Sequence, residues 1–194
     1  MDVVLATKNA AKRGELEDLL VALAPQVRLV HGLEWEDVDE TGDSFEANAL
    51  LKAAAVHAAT GVLALADDSG LEVDALGGEP GIHSARYAGV AGAGADAANN
   101  ALLLERMAGR TDRRCRFRCV VAIVGEGVSE TVSGTVEGTL RREPAGEGGF
   151  GYDPLFEPRG WDRTFGEATP ADKASVSHRS RALRSAVERL ARLT

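Results

Sequence analysis

The most informative stretch of this 194-residue chain reads GVLALADDSG, residues 61–70. Its first six residues are apolar and opened by a glycine, which predicts a short buried strand ending at Ala66. Asp67, Asp68 and Ser69 follow, and we expect the chain to turn at Gly70. Charged groups at the end of a buried parallel strand project into the crevice where open α/β sheets bind ligands. In an α/β fold, this stretch would therefore place its acidic residues at a ligand site.

The pair Asp67-Asp68 has two interpretations when it is taken alone. Adjacent carboxylates repel each other unless a cation lies beside them, and a hard divalent ion such as Mg²⁺ fits that role. Asp, Ser and Gly are also ordinary turn residues that satisfy their own backbone. This segment alone favours neither a metal site nor a plain turn.

Strand-like and helix-like segments alternate along the rest of the chain, which is typical of the α/β class. The predicted strands are Asp2 to Ala6, Val27 to Val30, Cys115 to Val124 and Ser129 to Leu140, the last two joined as a hairpin. The first predicted helix is Lys12 to Ala24, the second is capped by Ser44 and ends before Gly61, and the third is capped by Asp96 and ends at Gly109. A fourth helix is predicted to start at Thr169-Pro170, and a last one at about Ser177. No linker separates these segments, so we expect one domain over residues 1–194.

Composition narrows the function classes. A hydrophobic content of 44% with 27% charged residues is typical of a globular protein, and neither a membrane span nor a signal segment is apparent, so we expect a cytoplasmic location. The net charge of −8 argues against a nucleic-acid partner. Cys115 and Cys119 lie about 13 Å apart along one predicted strand, too far for a disulfide, and we interpret them as core thiols.

The segment Ala6 to Lys12, ATKNAAK, predicts a phosphate-binding turn. It leaves the first strand and opens the first helix, where backbone N–H groups and the helix dipole favour an anion. Lysine is rare here, at positions 8, 12, 52 and 173 against 18 arginines, so two lysines in one turn are notable. The alternative is a plain helix cap with exposed lysines, since the glycines of a P-loop are missing.

Three further segments carry candidate site residues. An acidic loop from Asp39 to Ser44 precedes the helix that contains Lys52. Gly148 to Pro154, GGFGYDP, places aromatic residues among glycines, which suits a flat ring lying against them. Lys173 and the run Ser177-His178-Arg179 offer donors near the start of the last helix. Each segment alone is also compatible with an ordinary loop or cap.

Taken together, these segments resemble the inosine/xanthosine triphosphate pyrophosphatases, over Val4 to about Leu183. The most specific matches are ADDSGL at residues 66–71, PG at 80–81 followed by SARY at 84–87, residues 148–154, and SHR at 177–179. The resemblance implies an elongated mixed sheet flanked by helices, in two lobes with a nucleotide cleft between them. It also implies a Mg²⁺-dependent homodimer that hydrolyses ITP, dITP and XTP to the monophosphate and pyrophosphate, cleansing the nucleotide pool.

The resemblance also implies a set of site residues. Glu40 and Asp68 would hold the metal, with Asp68 as proton acceptor in catalysis and Lys12 and Lys52 offsetting charge on the leaving pyrophosphate. The implied substrate contacts are Thr7, Lys8, Asn9, Ala10, Ala11, Lys12, Ser69, Phe150, Gly151, Tyr152, Asp153, Lys173, His178 and Arg179. Donors of His178-Arg179 would read the six-position oxygen of the base, and Phe150 would stack on it.

Two positions depart from the family pattern. Ala11 stands where the family usually has glycine, and Ala47-Asn48-Ala49 stands where it often has Glu-Asn-Ala. Any acidic role at position 47 is absent or taken by Glu46. A pyrophosphatase for modified pyrimidine nucleotides and a nonenzymatic nucleotide-binding protein are the alternatives, and an assay of pyrophosphate release over a nucleotide panel separates them.

Overall fold

A computed structural model describes residues 1–193 of the chain. The strands are β1 (Asp2–Leu5), β2 (Arg28–Leu29), β3 (Leu63–Val73), β4 (Arg114–Gly125), β5 (Val128–Leu140) and β6 (Phe156–Pro158). The helices are α1 (Ala10–Leu23), α2 (Phe45–Thr60), α3 (Ala95–Arg106), α4 (Pro170–Val176) and α5 (His178–Leu190). The strands form one sheet in the order β2-β1-β3-β4-β5-β6. Strand β1 is parallel to both of its neighbours, β2 and β3, whereas β5 and β6 are antiparallel. The predicted α/β class with a mixed sheet is confirmed.

The described chain divides into two compact units. Unit 1 comprises residues 1–68, 119–134 and 178–193, and unit 2 comprises residues 69–118 and 135–177. The expectation of a single domain over the whole chain stays a prediction. No helix among residues 1–193 is both long and apolar enough to cross a membrane.

Unit 1 has an aliphatic core in which α1 packs against α5. Leu16 and Leu20 of α1 meet Leu183 and Leu190 of α5, together with residues of β1, β3 and β4. Cys119 lies in this core with its thiol free, and Cys115 lies free in the core of unit 2. Both cysteines are core thiols, as predicted, and burial raises the pKa of each to about 12.

Unit 2 has an aromatic core. The rings of Phe117 and Phe165 both pack against Phe156, with centroid separations of 4.6 and 5.1 Å, and Trp161 meets Phe165 edge-on. Aromatic pairs at such separations are stabilising beyond the area they bury. Three of the five phenylalanines of the chain lie in this core.

Helix α2 begins and ends where its local signals predict. Ser44 is the N-cap, its hydroxyl accepting from the backbone N–H of Ala47 at 3.3 Å. Gly61 ends the helix at φ +69°, a left-handed conformation that glycine adopts without the steric cost of a Cβ. The start of α4 is also as predicted, with Thr169 as cap and Pro170 in the first turn.

Three predicted boundaries were wrong. Strand β3 does not end at Ala66 and turn at Gly70 but continues to Val73, because its acidic residues have cationic partners and Leu71 and Val73 extend the buried run. Helix α1 starts at Ala10 rather than Lys12, since alanine is a strong helix former and Asn9 supplies the cap. The cap of α3 is Gly94, which places Asp96 inside the first turn.

Candidate active site

Strand β3 holds both acidic residues of the opening motif within its length. Neighbouring residues of a strand point to opposite faces of the sheet, so Asp67 and Asp68 are presented in opposite directions. Both side chains are buried. Each carboxylate has its own cationic partners, which is how two adjacent acids are accommodated inside one strand.

Asp68 belongs to a cluster with residues of α2 and the acidic loop. The Lys52 ammonium lies 2.9 Å from Asp68 Oδ1 and 2.8 Å from Glu40 Oε1, so one cation bridges two carboxylates. Asn48, one turn before Lys52 on α2, donates from Nδ2 to Asp68 Oδ2 at 3.3 Å. The Asn48 Oδ1 accepts from the backbone N–H of Gly42 at 2.8 Å, which ties the acidic loop to the same cluster.

Burial sets the proton affinity of this cluster. It raises the pKa of the Asp68 carboxyl above its usual range, and the neighbouring Lys52 offsets only part of that effect. Burial by itself would lower the pKa of Lys52, but Asp68 and Glu40 outweigh it and the pKa is raised. Asp68 is therefore a stronger base than a solvated aspartate, while Lys52 stays charged.

Asp67 belongs to a second ionic cluster with α1 and α5. Its Oδ2 lies 3.7 Å from the Lys12 ammonium and 3.5 Å from Arg179 Nε. The Arg179 guanidinium is 2% exposed and also donates to Glu15. Burial alone would lower the pKa of Arg179, but Asp67 and Glu15 raise it, so this arginine is a buried, charged residue held by two carboxylates.

The first turn of α1 forms the segment predicted to bind phosphate. Asn9 caps the helix, its Oδ1 accepting from the backbone N–H of Lys12 at 3.0 Å, and Thr7 Oγ1 accepts from the N–H of Asn9 at 3.3 Å. Ala10 and Ala11 follow in the exposed first turn. The two lysines of the segment differ, because Lys12 is 18% exposed whereas Lys8 is exposed and pairs with Asp37 at 2.6 Å.

The glycine-rich loop lies in unit 2 and is organised around a buried ion pair. Lys173 Nζ donates to Asp153 Oδ2 at 2.6 Å, and both residues are buried. Asp153 Oδ2 also accepts from the backbone N–H of Phe150 at 2.9 Å. The Lys173 ammonium lies 4.7 Å from the centroid of the Phe150 ring, within range of a cation–π interaction.

Close packing requires glycine at position 149 of this loop and at position 146 just before it. A Cβ on Gly149 would lie 2.1 Å from Asp153 Oδ2, and one on Gly146, two residues before the loop, would lie 2.1 Å from the backbone of Gly166. Tyr152 belongs to the core of unit 2 and donates its hydroxyl to the Ser84 carbonyl at 2.9 Å. Of the two aromatic residues in the loop, only Phe150 is half-buried rather than buried.

The structure thus brings together three groups of predicted site residues. Unit 1 joins Glu40, Lys52 and Asp68 in one cluster and places Lys12 in the other, with Thr7 to Ala11 at the start of α1. Unit 2 joins Phe150, Asp153 and Lys173, with Gly151 and Tyr152 between them in the chain. Ser69 lies in β3, and His178 is a buried residue at the start of α5.

Sequence reasoning missed three participants: Asp67 as the partner of Lys12 and Arg179, Glu15, and Asn48. Spacing offered a signal for two of them, because residues three or four apart share a helix face. Asn48 precedes Lys52 by four residues on α2, and Glu15 follows Lys12 by three on α1. The pairing of Asp67 with Arg179 spans 112 residues and left no local signal.

Two carboxylates beside a lysine, together with a capped helix start that carries a second lysine, form an arrangement expected of an α/β protein that handles phosphate groups. The chain belongs to the Ham1 family, whose model matches residues 3–189. The resemblance drawn from the sequence is confirmed.

Curated relatives and solved structures agree with this assignment. The dITP/XTP pyrophosphatase of Desulforamulus reducens is 48% identical, covering 100% of this chain and 97% of the relative, and that of Deinococcus radiodurans is 47% identical, covering 93% and 88%. The Ham1 protein of Staphylococcus aureus superposes with a TM-score of 0.88 at 37% identity over 100% of both chains. The nucleoside-triphosphatase, dITP/XTP pyrophosphatase, of Mycobacterium abscessus gives 0.76 at 45% identity, covering 95% and 97%.

Proposed function

We propose that this protein hydrolyses the noncanonical purine nucleotides ITP, dITP and XTP to the monophosphate and pyrophosphate. Family membership and the names of its relatives support this activity. The observation that carries it is the cluster in which one ammonium, that of Lys52, bridges Asp68 and Glu40. Such a cluster supplies a base, a cation and oxygen ligands within one hydrogen-bonded group, which hydrolysis of a phosphoanhydride requires.

The donor set also fits Mg²⁺, which we include in the proposal. Mg²⁺ prefers oxygen ligands and is commonly bound through one or two carboxylates together with substrate phosphates. Asp68 and Glu40 are two carboxylates gathered around a single cation, so they would hold the metal. When bound, Mg²⁺ would neutralise phosphate charge and lower the pKa of a coordinated water.

We assign the other steps of hydrolysis to residues of the chain itself. Asp68, with its raised pKa, accepts the proton of the attacking water. Lys52 and Lys12 offset the negative charge that grows on the leaving pyrophosphate. The start of α1, from Thr7 to Lys12, binds phosphate oxygens through backbone N–H groups and the helix dipole. No covalent nucleophile is needed, because phosphoryl transfer relies on positioning and electrostatics.

We extend the proposal to base binding and cellular context. Phe150 offers an aromatic face to the base, and Ser69, Gly151 to Asp153, Lys173 and His178-Arg179 remain proposed nucleotide contacts. The resemblance supports a homodimer with a small nucleotide as ligand, and the net charge of −8 supports neither nucleic acid nor an anionic membrane surface as partner. We propose the cytoplasm as the location, where the nucleotide pool that the enzyme cleanses is held.

The test is a pyrophosphate-release assay across ITP, dITP, XTP, GTP, ATP and dUTP, with Mg²⁺ and with EDTA. We expect release from the first three nucleotides with Mg²⁺ and none with EDTA. Asp68→Asn should remove nearly all turnover while the protein stays folded. Preferred release from dUTP would favour a pyrimidine nucleotide enzyme, and no release from any nucleotide would favour a binding protein. More than a tenth of wild-type turnover in Asp68→Asn would refute the role given to that residue.

A further inference from the structure

Helix α3 holds the glycine-rich loop at one residue, Gly151. The backbone N–H of Gly151 donates to Asp96 Oδ2 at 2.7 Å, and its carbonyl accepts from Asn100 Nδ2 at 2.9 Å. Asp96 and Asn100 are four residues apart and therefore lie on one face of α3. The backbone N–H and the carbonyl of Gly151 are thus both hydrogen-bonded to side chains of α3.

The helix that makes these bonds is itself fixed within unit 2. Asn99 is 2% exposed and bonds three backbone groups, accepting from Ala88 N–H and donating to the carbonyls of Ser84 and Ala85. Leu103, one turn further on, is buried in the core. Asp96 also lies in the first turn of α3, where the helix dipole favours a carboxylate. The side chains of Asp96 and Asn100 therefore extend from a helix that is itself held in place within unit 2.

Gly151 directly follows Phe150, and its backbone has φ +61°, a left-handed conformation that favours glycine. On the other side, Asp153 accepts from the Phe150 N–H and pairs with Lys173. The backbone at Phe150 is thus held at its own N–H and at the next residue. Because this backbone carries the ring, we expect the loss of either set of hydrogen bonds to change where the ring lies.

We propose that Asp96 and Asn100 are positioning residues that set the Phe150 ring for the nucleotide base. The inference rests on the proposed function, in which Phe150 contacts the base. Asp96 and Asn100 belong to unit 2, whereas the residues assigned to proton transfer and charge neutralisation belong to unit 1. Because the two side chains bond the residue next to Phe150, we expect their loss to weaken substrate affinity and to spare the chemical step.

The test compares four variants in steady-state hydrolysis of ITP. Asn100→Asp keeps the shape of the side chain but sets a carboxylate against the Gly151 carbonyl, and it should raise KM about tenfold with kcat within about twofold. Asp96→Ala should raise KM about threefold, since its bond is exposed, and Asp96→Asn, which keeps an oxygen acceptor, should restore most of this loss. Glu105→Ala, an exposed acid on the same helix, is the control and should behave as wild type.

A double-mutant comparison tests whether the effect passes through the ring. In a Phe150→Ala background, adding Asn100→Asp should raise KM less than about threefold, because the group that it positions is gone. A full tenfold increase in that background, or a KM within twofold of wild type in the single variant, overturns the inference. So does an increase in KM that Glu105→Ala shares.

Hydrogen exchange measures the hold on the loop independently of activity. The Gly151 amide should exchange about tenfold faster in Asp96→Ala than in wild type, and unchanged exchange overturns the inference. A wild-type protein that releases no pyrophosphate from any nucleotide refutes the proposed function instead. The exchange measurement then still decides whether α3 holds Gly151.

Discussion

Replacing Asp67 by asparagine is expected to destabilise the protein much more than the same change at Asp68, although the two residues are adjacent. The Asp67 carboxylate lies 3.5 Å from Arg179 Nε, and that guanidinium is 2% exposed. The Asp68 carboxylate instead faces Lys52, which is 14% exposed and keeps Glu40 as a second partner. The two substitutions therefore leave different cations behind.

The size of each loss in stability depends on which carboxylate partners remain for the cation after the substitution. Removing one partner of a buried ion pair costs about 3–5 kcal/mol, and because Glu15 still bonds Arg179 we expect about 3 kcal/mol for Asp67→Asn. For a chain of this length that corresponds to a fall in Tm of about 6–12 °C. At Asp68 burial already disfavours the charged carboxyl, so a neutral asparagine relieves part of that cost, and the expected fall is at most about 4 °C.

Thermal unfolding followed by circular dichroism at pH 7.5 measures both variants against Asp18→Asn, a control at an exposed acid of α1. Turnover of ITP, measured well below the Tm of each variant, should fall to near zero in Asp68→Asn and stay measurable in Asp67→Asn. A fall in Tm of less than about 3 °C for Asp67→Asn would refute the reasoning, as would a larger fall for Asp68→Asn than for Asp67→Asn.

Three further outcomes follow from the same geometry. Lys12→Ala should lower kcat/KM for ITP at least about tenfold and Lys8→Ala less than about threefold, because only Lys12 is largely buried at the helix start; equal losses would contradict this layout. Glu40→Gln should raise the Mg²⁺ concentration for half-maximal activity several-fold, and an unchanged requirement would remove Glu40 from the metal site. Gly134→Ala should destabilise by about 3 kcal/mol in denaturant unfolding, because its Cβ would lie 2.3 Å from the backbone of α5, whereas Gly14→Ala, with open space in α1, should be neutral or stabilising.

The parts of the fold that sequence predicted well are those with local causes. Ser44 and Gly61 bound α2 because a cap hydroxyl and a left-handed glycine act within one helical turn. The hairpin of β4 and β5 follows from two apolar or alternating runs on either side of a glycine-containing turn. Thr169 and Pro170 start α4 for similarly local reasons.

The parts that sequence did not predict depend on distant partners. An Asp-Asp-Ser-Gly stretch reads as a turn because its own residues favour turns. It continues as a strand because Lys12, Lys52 and Arg179 lie beside its carboxylates, and Lys12 and Arg179 are separated from β3 by long stretches of chain. Neither the identity of each acid's partner nor the face on which the partner lies has a signature within the stretch itself.

The scarcity of lysine is by itself a weak signal in the sequence, and the structure gives it a physical meaning. Three of the four lysines are buried or nearly so against carboxylates: Lys12 with Asp67, Lys52 with Asp68, and Lys173 with Asp153. A compact ammonium can approach two acceptors from different directions, as Lys52 does, whereas a planar guanidinium presents its donors as a fixed fork.

Arginine takes the complementary role. Most arginines of the chain are at least partly exposed, and the fully buried one, Arg179, makes separate contacts to Asp67 and Glu15 through Nε and a terminal nitrogen, which suits a planar group with several donors. Lysine therefore supplies largely buried positive charge beside each of the two acids of β3. Because both acids have a lysine partner, it is the buried arginine that distinguishes them: Asp67 also pairs with Arg179, whereas the proposed catalytic acid Asp68 pairs with Lys52, which it shares with Glu40.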